Sequence, residues 1–413
     1  MSISKSDVKH QDNVGSIRAF RYIRVDEAVY LLAVLVYFVQ AFIDTTMINP
    51  VLADSFLPAL KAIAFSLVAL KVAISSFSSS IFRIFSAICL LVFSFFTILV
   101  GGYAAPFQFL IMVVGAADVN FDRIAKIYLW SSITLTVITI GLALLGVIQN
   151  VSVPRGDAVV YSYGFYYSTE FSAHVLCMAI AWIYVHRDRL TMKVYLPVLI
   201  VAILTFILTD GRLSFFLTML IVPLVFVEDR RRNAVGPDYC YPKWMKMSFI
   251  IMAFISLVLM IVYRNASILG LLNKLLTNRL YYAHLGYMRY GITLFGQQIE
   301  MIGWGGGRTV WAENYFYLDN SYVNILLRFG LVTLLMAVII CSLPFHRLRS
   351  EAGVVAVLIF AVAAASFVNE HLMSLSYNFF SLMAFAKSSD FLSRRSNFYD
   401  SLAHFDSEVV GDR

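Results

Sequence analysis

Apolar residues along this chain come in long runs separated by short polar stretches, the pattern of helices that are apolar on every face. Runs of roughly 18–22 residues recur along the whole length, and each is long enough to cross the hydrocarbon core of a bilayer. About twelve spans are expected, over 28–47, 56–76, 81–100, 103–119, 124–148, 168–186, 194–209, 213–227, 247–264, 320–341, 352–368 and 372–387. The seventh and eighth meet at Thr209-Asp210-Gly211-Arg212, either as two tilted spans or as a pair dipping from one tight turn. The expected fold class is all-α, a polytopic transmembrane helical protein with one long extracytoplasmic loop between spans nine and ten. That pattern divides the chain into an N-terminal tail 1–27, a membrane domain 28–387 whose outer loop 265–319 is the catalytic segment, and a C-terminal tail 388–413.

Composition narrows the class further. Sixty per cent of residues are hydrophobic and 14% are charged, against about a quarter charged in soluble domains. No room remains for a sizeable soluble domain. The net charge of +7 then concerns topology and anionic lipid, and nucleic acid is not an expected partner. The first 27 residues are polar, whereas a signal peptide places its apolar core earlier; this segment reads as a retained cytoplasmic tail. Cys89, Cys177, Cys240 and Cys341 lie in or beside apolar spans or in a basic loop, with neither a disulfide framework nor metal-ligand spacing. No D-x-D, Walker or zinc motif occurs, so no metal and no cofactor are expected, and if the chain is a transferase its donor is already in the membrane.

Basic residues choose the orientation. Clusters at Arg18, Arg21 and Arg24, at Arg187, Arg189 and Lys193, at Arg230-Arg231-Arg232 and at Arg394-Arg395 all fall inside if both termini are cytoplasmic. Arg155, Arg212, Arg264, Lys274, Arg279, Arg289 and Arg308 are left outside, against the insertion bias. Gathered together they form a cationic patch suited to phosphate or diphosphate, because guanidinium gives bidentate, charge-assisted bonds to phosphoryl oxygens.

Several groups carry candidate chemistry beside plainer readings. Asp319-Asn320-Ser321-Tyr322 opens the tenth span; Asp319 is either a helix cap or a group that takes a proton from a substrate hydroxyl. Asn320, Asn324 and Arg328 share one slowly drifting helical face, and Arg328 lies about 12 Å into the helix, so this face points into a protein-lined cavity. Arg212 either pairs locally with Asp210 or presents its guanidinium to a lipid diphosphate. Arg279 lies on an amphipathic segment at the membrane surface. The run Gly303-Trp304-Gly305-Gly306-Gly307-Arg308 is a flexible turn or an anion cradle. His284 is interfacial filler or a base. Glu170 with His174, and Glu370 with His371, read equally as acid–base pairs or as helix-end residues.

The stretch LTNRLYYAHLGYMRYGITLFGQ, followed by LDNSYVNILLRFGLV, resembles the Wzy polymerases of bacterial polysaccharide assembly, in the subtype of capsule and exopolysaccharide clusters. These form a wider group with the O-antigen ligases, which carry histidine where this chain has Asp319. TDGRLSFF resembles the family's Ser-Arg or Gly-Arg turn, and VYSYGFYYSTEF its R-Y-S-x-G-F-x-H-P-N segment. Val160 replaces that segment's arginine and Tyr167, Ser168 and Thr169 replace its H-P-N, with Arg155 as a substitute cation. The resemblance implies a metal-independent glycosyltransferase of the bacterial inner membrane. It would join undecaprenyl-diphosphate-linked oligosaccharides on the outer leaflet, with a chain-length regulator as a further partner. Arg212 and Arg279 would hold the diphosphate and Asp319 would deprotonate the acceptor. Asn320, Tyr322 and Arg328 would shape the cavity, and Arg155, Arg289, Arg308 and His284 would contact substrate. Ligase-type transfer to another acceptor and lipid-linked oligosaccharide flipping are the alternatives.

Overall fold

The computed structural model describes residues 24–75, 81–155, 158–236, 239–264, 267–303 and 315–391. Arg308, most of the glycine run and the greater part of both tails lie outside these residues, as does the side chain of Arg155. Among the described residues the chain is all-α apart from one hairpin, β1 (Ser152–Arg155) paired antiparallel with β2 (Ala158–Tyr161). Its helices are α1 (Val25–Ile43), α2 (Phe56–Ser75), α3 (Ile81–Gly101), α4 (Ala105–Gly115), α5 (Phe121–Leu144), α6 (Ser168–Val185) and α7 (Met192–Thr209). Then come α8 (Arg212–Val235), α9 (Ser248–Val262), α10 (Ser267–Leu275), α11 (Arg279–Tyr290), α12 (Ser321–Asn324), α13 (Gly330–Arg347) and α14 (Gly353–Val368). Among the described residues seven helices are long and apolar enough to cross a membrane, α12 and α13 counting as one. Leu91–Gly101, α4 and α14 are shorter apolar helices.

The outside of this bundle is as apolar as its inside. On α7 Ile207 is 70% exposed and on α9 Phe254 is 66% exposed, while Val198 and Ala253 on the same helices are buried. Water would penalise such surfaces, and hydrocarbon does not. α6 and α14 occupy the interior, with α14 nearly continuously buried from Gly353 to Ala363.

Two expected spans take other forms. Over 103–119 only α4 is helical, because Gly102 adopts φ +75° and Pro106 sits in the first turn, so the helix starts late. Over 372–387 there is no long helix: turns lead into a short 3-10 helix, Phe379–Ala384, buried throughout. Irregular backbone at such a depth is stable only when protein satisfies its polar groups. Here Arg347 donates to the carbonyls of Met383, Ala384 and Ala386 (3.2, 2.7 and 2.8 Å), and the Asn378 amide donates to Leu372 O at 2.7 Å.

α6 separates two polar ends by about 27 Å, its 18 residues rising 1.5 Å each. Beyond its C-terminus Arg187 pairs with Asp122 (2.8 Å) and Asp390 (2.9 Å), and Arg123 pairs with Glu27 (3.0 Å). Beside its N-terminus lies the other cluster, which contains most of the residues singled out above.

A candidate active site at one end of the bundle

Two helix starts deliver its first pair. Thr277 and Asn278 adopt left-handed φ of 53° and 66° between α10 and α11, a conformation asparagine tolerates better than most residues. The buried Asn273 stitches that turn, donating to Asn278 Oδ1 at 3.0 Å and accepting from Tyr281 N at 3.0 Å. This fixes Arg279 as the first residue of α11. The helix then buries Leu280, Ala283 and Gly286, one face at helical spacing. A Cβ on Gly286 would come within 3.1 Å of Leu318 and Leu327, so the bare glycine allows α11 to lie close over the start of α12.

That start is capped by Asn320, not Asp319. Asn320 Oδ1 accepts from Tyr322 N (2.9 Å) and Val323 N (3.1 Å). Its amide donates to Ser256 Oγ (3.0 Å) and Phe367 O (2.8 Å), tying α12 to α9 and α14. Asp319 is thereby free of capping and pairs with Arg279, Oδ2 to Nε at 3.3 Å. Arg279 is 13% exposed and Asp319 25%. The guanidinium nevertheless leaves Nε and Nη1 buried without a hydrogen-bond acceptor. Burial raises the Asp319 carboxyl above its usual range, and the Arg279 charge opposes that rise.

Behind this pair stand groups that the sequence pattern left undecided. The turn after α14 is clamped to α12 by Ser321, whose hydroxyl donates to Asn369 O and accepts from Leu372 N at 3.1 Å. It carries Glu370, which accepts from the Tyr317 hydroxyl and from Asn324 Nδ2 at 2.9 Å. Burial pushes the Glu370 carboxyl up to about 8, with Tyr317 holding it down and the charge of Asp319 adding to the rise. His371 stacks on Tyr377 at 3.7 Å, and burial together with the Arg279 charge depresses its imidazole to about 3, so it is neutral. Tyr377 donates to Glu170 and lies 3.0 Å from His174 Nε2, which is 2.9 Å from Thr45 Oγ1. A cavity of about 20 Å³, bordered by Asn369, His371, Tyr377 and the α6 and α14 walls, has room for one water.

The remaining expected site residues are placed as follows. Arg328 occupies a π-turn, Ile325–Phe329, with its guanidinium 4.5 Å above the Tyr103 ring and Nη1 3.5 Å from Asn324 Oδ1; Nε is buried without an acceptor. Such one-turn insertions recur at functional sites. Its wall is protein: Gly330, at φ +90°, abuts the 294–296 backbone, where a Cβ would stand 2.4 Å from Leu294 O. Tyr322 is fully buried and donates to Ala363 O at 3.0 Å, so it packs α12 on α14. His284 binds Met260 O through Nδ1 at 2.8 Å, bracing α11 on α9. Arg289 lies 5.4 Å over the Phe316 ring. Arg212 pairs with Asp210 at 3.0 Å and is 68% exposed, in a turn where Gly211 meets Ser172 of α6. It therefore shares the Glu170 end of α6, although Asp210 is its ion-pair partner.

The structure thus joins Arg279 with Asp319, and adds Glu370, Tyr317, His371 and Glu170. Tyr317 carried no signal in the sequence. The acids did: each stands where an apolar run begins or ends, and a buried carboxyl there is costly enough to call for a reason. Together these groups can hold an anion through surplus guanidinium donors, accept a proton on a carboxylate and shield both from bulk water. Among the described residues no group of three or more side chains is arranged to hold a metal ion. No family model, curated protein or solved structure matches this chain.

Proposed function

We propose that the chain is a membrane glycosyltransferase that polymerises undecaprenyl-diphosphate-linked oligosaccharide repeats. The observation that carries this reading is the Arg279–Asp319 pair, a guanidinium whose Nε faces the carboxylate and whose buried Nη1 still lacks an acceptor, beside a carboxylate of raised basicity. In this reading the chain makes twelve passes through the bacterial inner membrane with both termini cytoplasmic. The segment 372–387 supplies the last pass, and the Asp319 end faces outward. The resemblance around 276–297 and 318–332 points to the same activity.

In the mechanism, the donor diphosphate takes the open donors of Arg279. Arg279 now shares its charge between phosphoryl oxygens and Asp319, so the carboxylate loses part of the field that held its basicity down. Asp319 then removes the proton from an acceptor hydroxyl, and that oxygen attacks the anomeric carbon of the donor. The bond from the anomeric carbon to the phosphoryl oxygen breaks, and its electron pair leaves on undecaprenyl diphosphate, stabilised by Arg279. Arg212, with its exposed guanidinium, meets the lipid headgroup at the rim. The Asp319 base is in this way strongest when donor is bound.

Purified protein in liposomes tests the reading directly. Lipid-linked repeats alone, with no nucleotide sugar and no ion gradient, should yield a ladder of longer lipid-linked glycans. Absence of a ladder from folded protein would remove the polymerase reading, and transfer of preformed glycan to a new carrier would replace it with ligation.

A further inference from the structure

Glu370 has no role in the mechanism above, yet the fold holds it closely. Two donors on the α12 side are aimed at it, the Tyr317 hydroxyl and the Asn324 amide. The groups whose charges reach it are Asp319 before α12, Glu170 at the start of α6 and Arg328 in the π-turn, while His371 follows it on its own turn and is neutral. Among the described residues no cation stands within ion-pair distance of Glu370, and Arg279 is engaged by Asp319. A carboxylate without a cationic partner, near the proposed diphosphate site, works against that site. The same group carrying its proton does not.

We propose that Glu370 is the proton-linked gate of the diphosphate site: as a neutral carboxylic acid it leaves the Arg279 donors open to a lipid diphosphate, and as a carboxylate it repels that ligand and offsets the field of Arg328. This rests on the reading of Arg279 as a diphosphate-binding group. It adds that binding and proton uptake are one event, because an arriving anion raises the proton affinity of Glu370 further. The buried position of the carboxyl, which pushes it up to about 8, sets where the coupling shows. Below that pH the gate already carries its proton and affinity is insensitive to it. Above it each bound diphosphate must bring a proton, and affinity falls by about tenfold per pH unit. The chemistry required of the ligand is a diphosphate monoester or diester, and the sugar is not part of the coupling.

The test is a binding measurement on the full chain in lipid nanodiscs, with farnesyl diphosphate as the probe, from pH 6.5 to 9.5. Glu370→Gln keeps acceptor and donor atoms for Tyr317 and Asn324 but has no charge. The ratio of wild-type to E370Q affinity cancels the ionisation of the probe itself. That ratio should be flat below about pH 8 and fall about tenfold per unit above it. Parallel curves for the two proteins would overturn the gate while leaving the diphosphate site intact. Folded wild-type protein that binds no farnesyl diphosphate at any pH would instead remove the Arg279 reading, and the gate with it. If E370Q does not fold, Tyr317→Phe carries the test. It deletes a hydrogen bond that favours the charged form, so the break should move to higher pH, and an unmoved break refutes the proposal.

Discussion

Arg279→Ala is the perturbation on which the proposed chemistry turns. The pair it breaks is 3.3 Å long, worth about 5 kcal/mol at an effective dielectric near 20. Partial exposure of both groups, 13% and 25%, screens that figure, and Asp319 can relieve the rest by taking a proton. The stability cost is therefore roughly 1–3 kcal/mol, within the about 5–15 kcal/mol that keeps a domain folded. The catalytic cost is larger. Removing one preorganised donor to a leaving oxyanion lowers turnover by about 10²–10³-fold, and Arg279 supplies both the charge and the open Nη1. R279A should accumulate as folded protein, leave single-repeat glycan on the lipid carrier and make no ladder. Arg279→Lys, a point charge without the fork, should recover part of the activity. The assay is gel analysis of lipid-linked glycan made by purified variants in liposomes, with detergent-phase unfolding as the folding control. A normal ladder from R279A would refute the assignment whatever its stability.

Three further outcomes follow from the same geometry. Asp319→Asn keeps an acceptor for Arg279 and changes no cap, so it should fold normally and lose about 10²-fold or more in polymer formation; full activity would end its role as base. Asn320→Ala removes the α12 cap and orphans its partners on α9 and α14, costing about 2–4 kcal/mol, and a thermal midpoint equal to wild type in detergent would contradict the hydrogen-bond assignment. For Glu370 the folded carboxyl lies near 8 against an ordinary 4.5, so between those values the native state holds the extra proton. Stability from this group is then greatest below about pH 4.5 and declines as pH rises toward 8. E370Q should flatten that decline, which chemical unfolding at pH 5.5 and 7.5 measures.

The helical class and most helix positions were legible because bilayer-length apolar runs leave the backbone no other way to satisfy itself. The last run, 372–387, has the hydropathy of a span yet forms no long helix, for an instructive reason. Its hydropathy reports burial in something apolar, but lipid and protein look alike on that scale, and only the bonds that Arg347 makes to its carbonyls, with Asn378 closing its own turn, show which applies. Asp319 was singled out with capping as the competing role, and the hydrogen bonds give that role to its neighbour Asn320. Local sequence offers two candidates for an N-cap and does not rank them. In the sequence the acids at 170 and 370 stand beside their own histidines, at i+4 and i+1. In the structure they are linked instead through tyrosines, Tyr377 and Tyr317, far along the chain.

By itself the sequence determined the helical class and the presence of long helices apolar on every face, since both follow from the cost of unpaired peptide groups in hydrocarbon. It leads to an expectation of about twelve spans, whereas seven of the described helices are long and apolar enough to cross a membrane. It also placed guanidinium and carboxyl groups near helix starts, where short-range rules apply. Which of them meet was decided by tertiary structure alone. Arg279 reaches Asp319 because a left-handed turn and a bare Gly286 let α11 settle onto α12. Glu370 reaches Tyr317 and Asn324 because Ser321 clamps the turn after α14. Contacts between residues tens of positions apart depend on how helices pack, and helical periodicity carries no information about that beyond which face is buried.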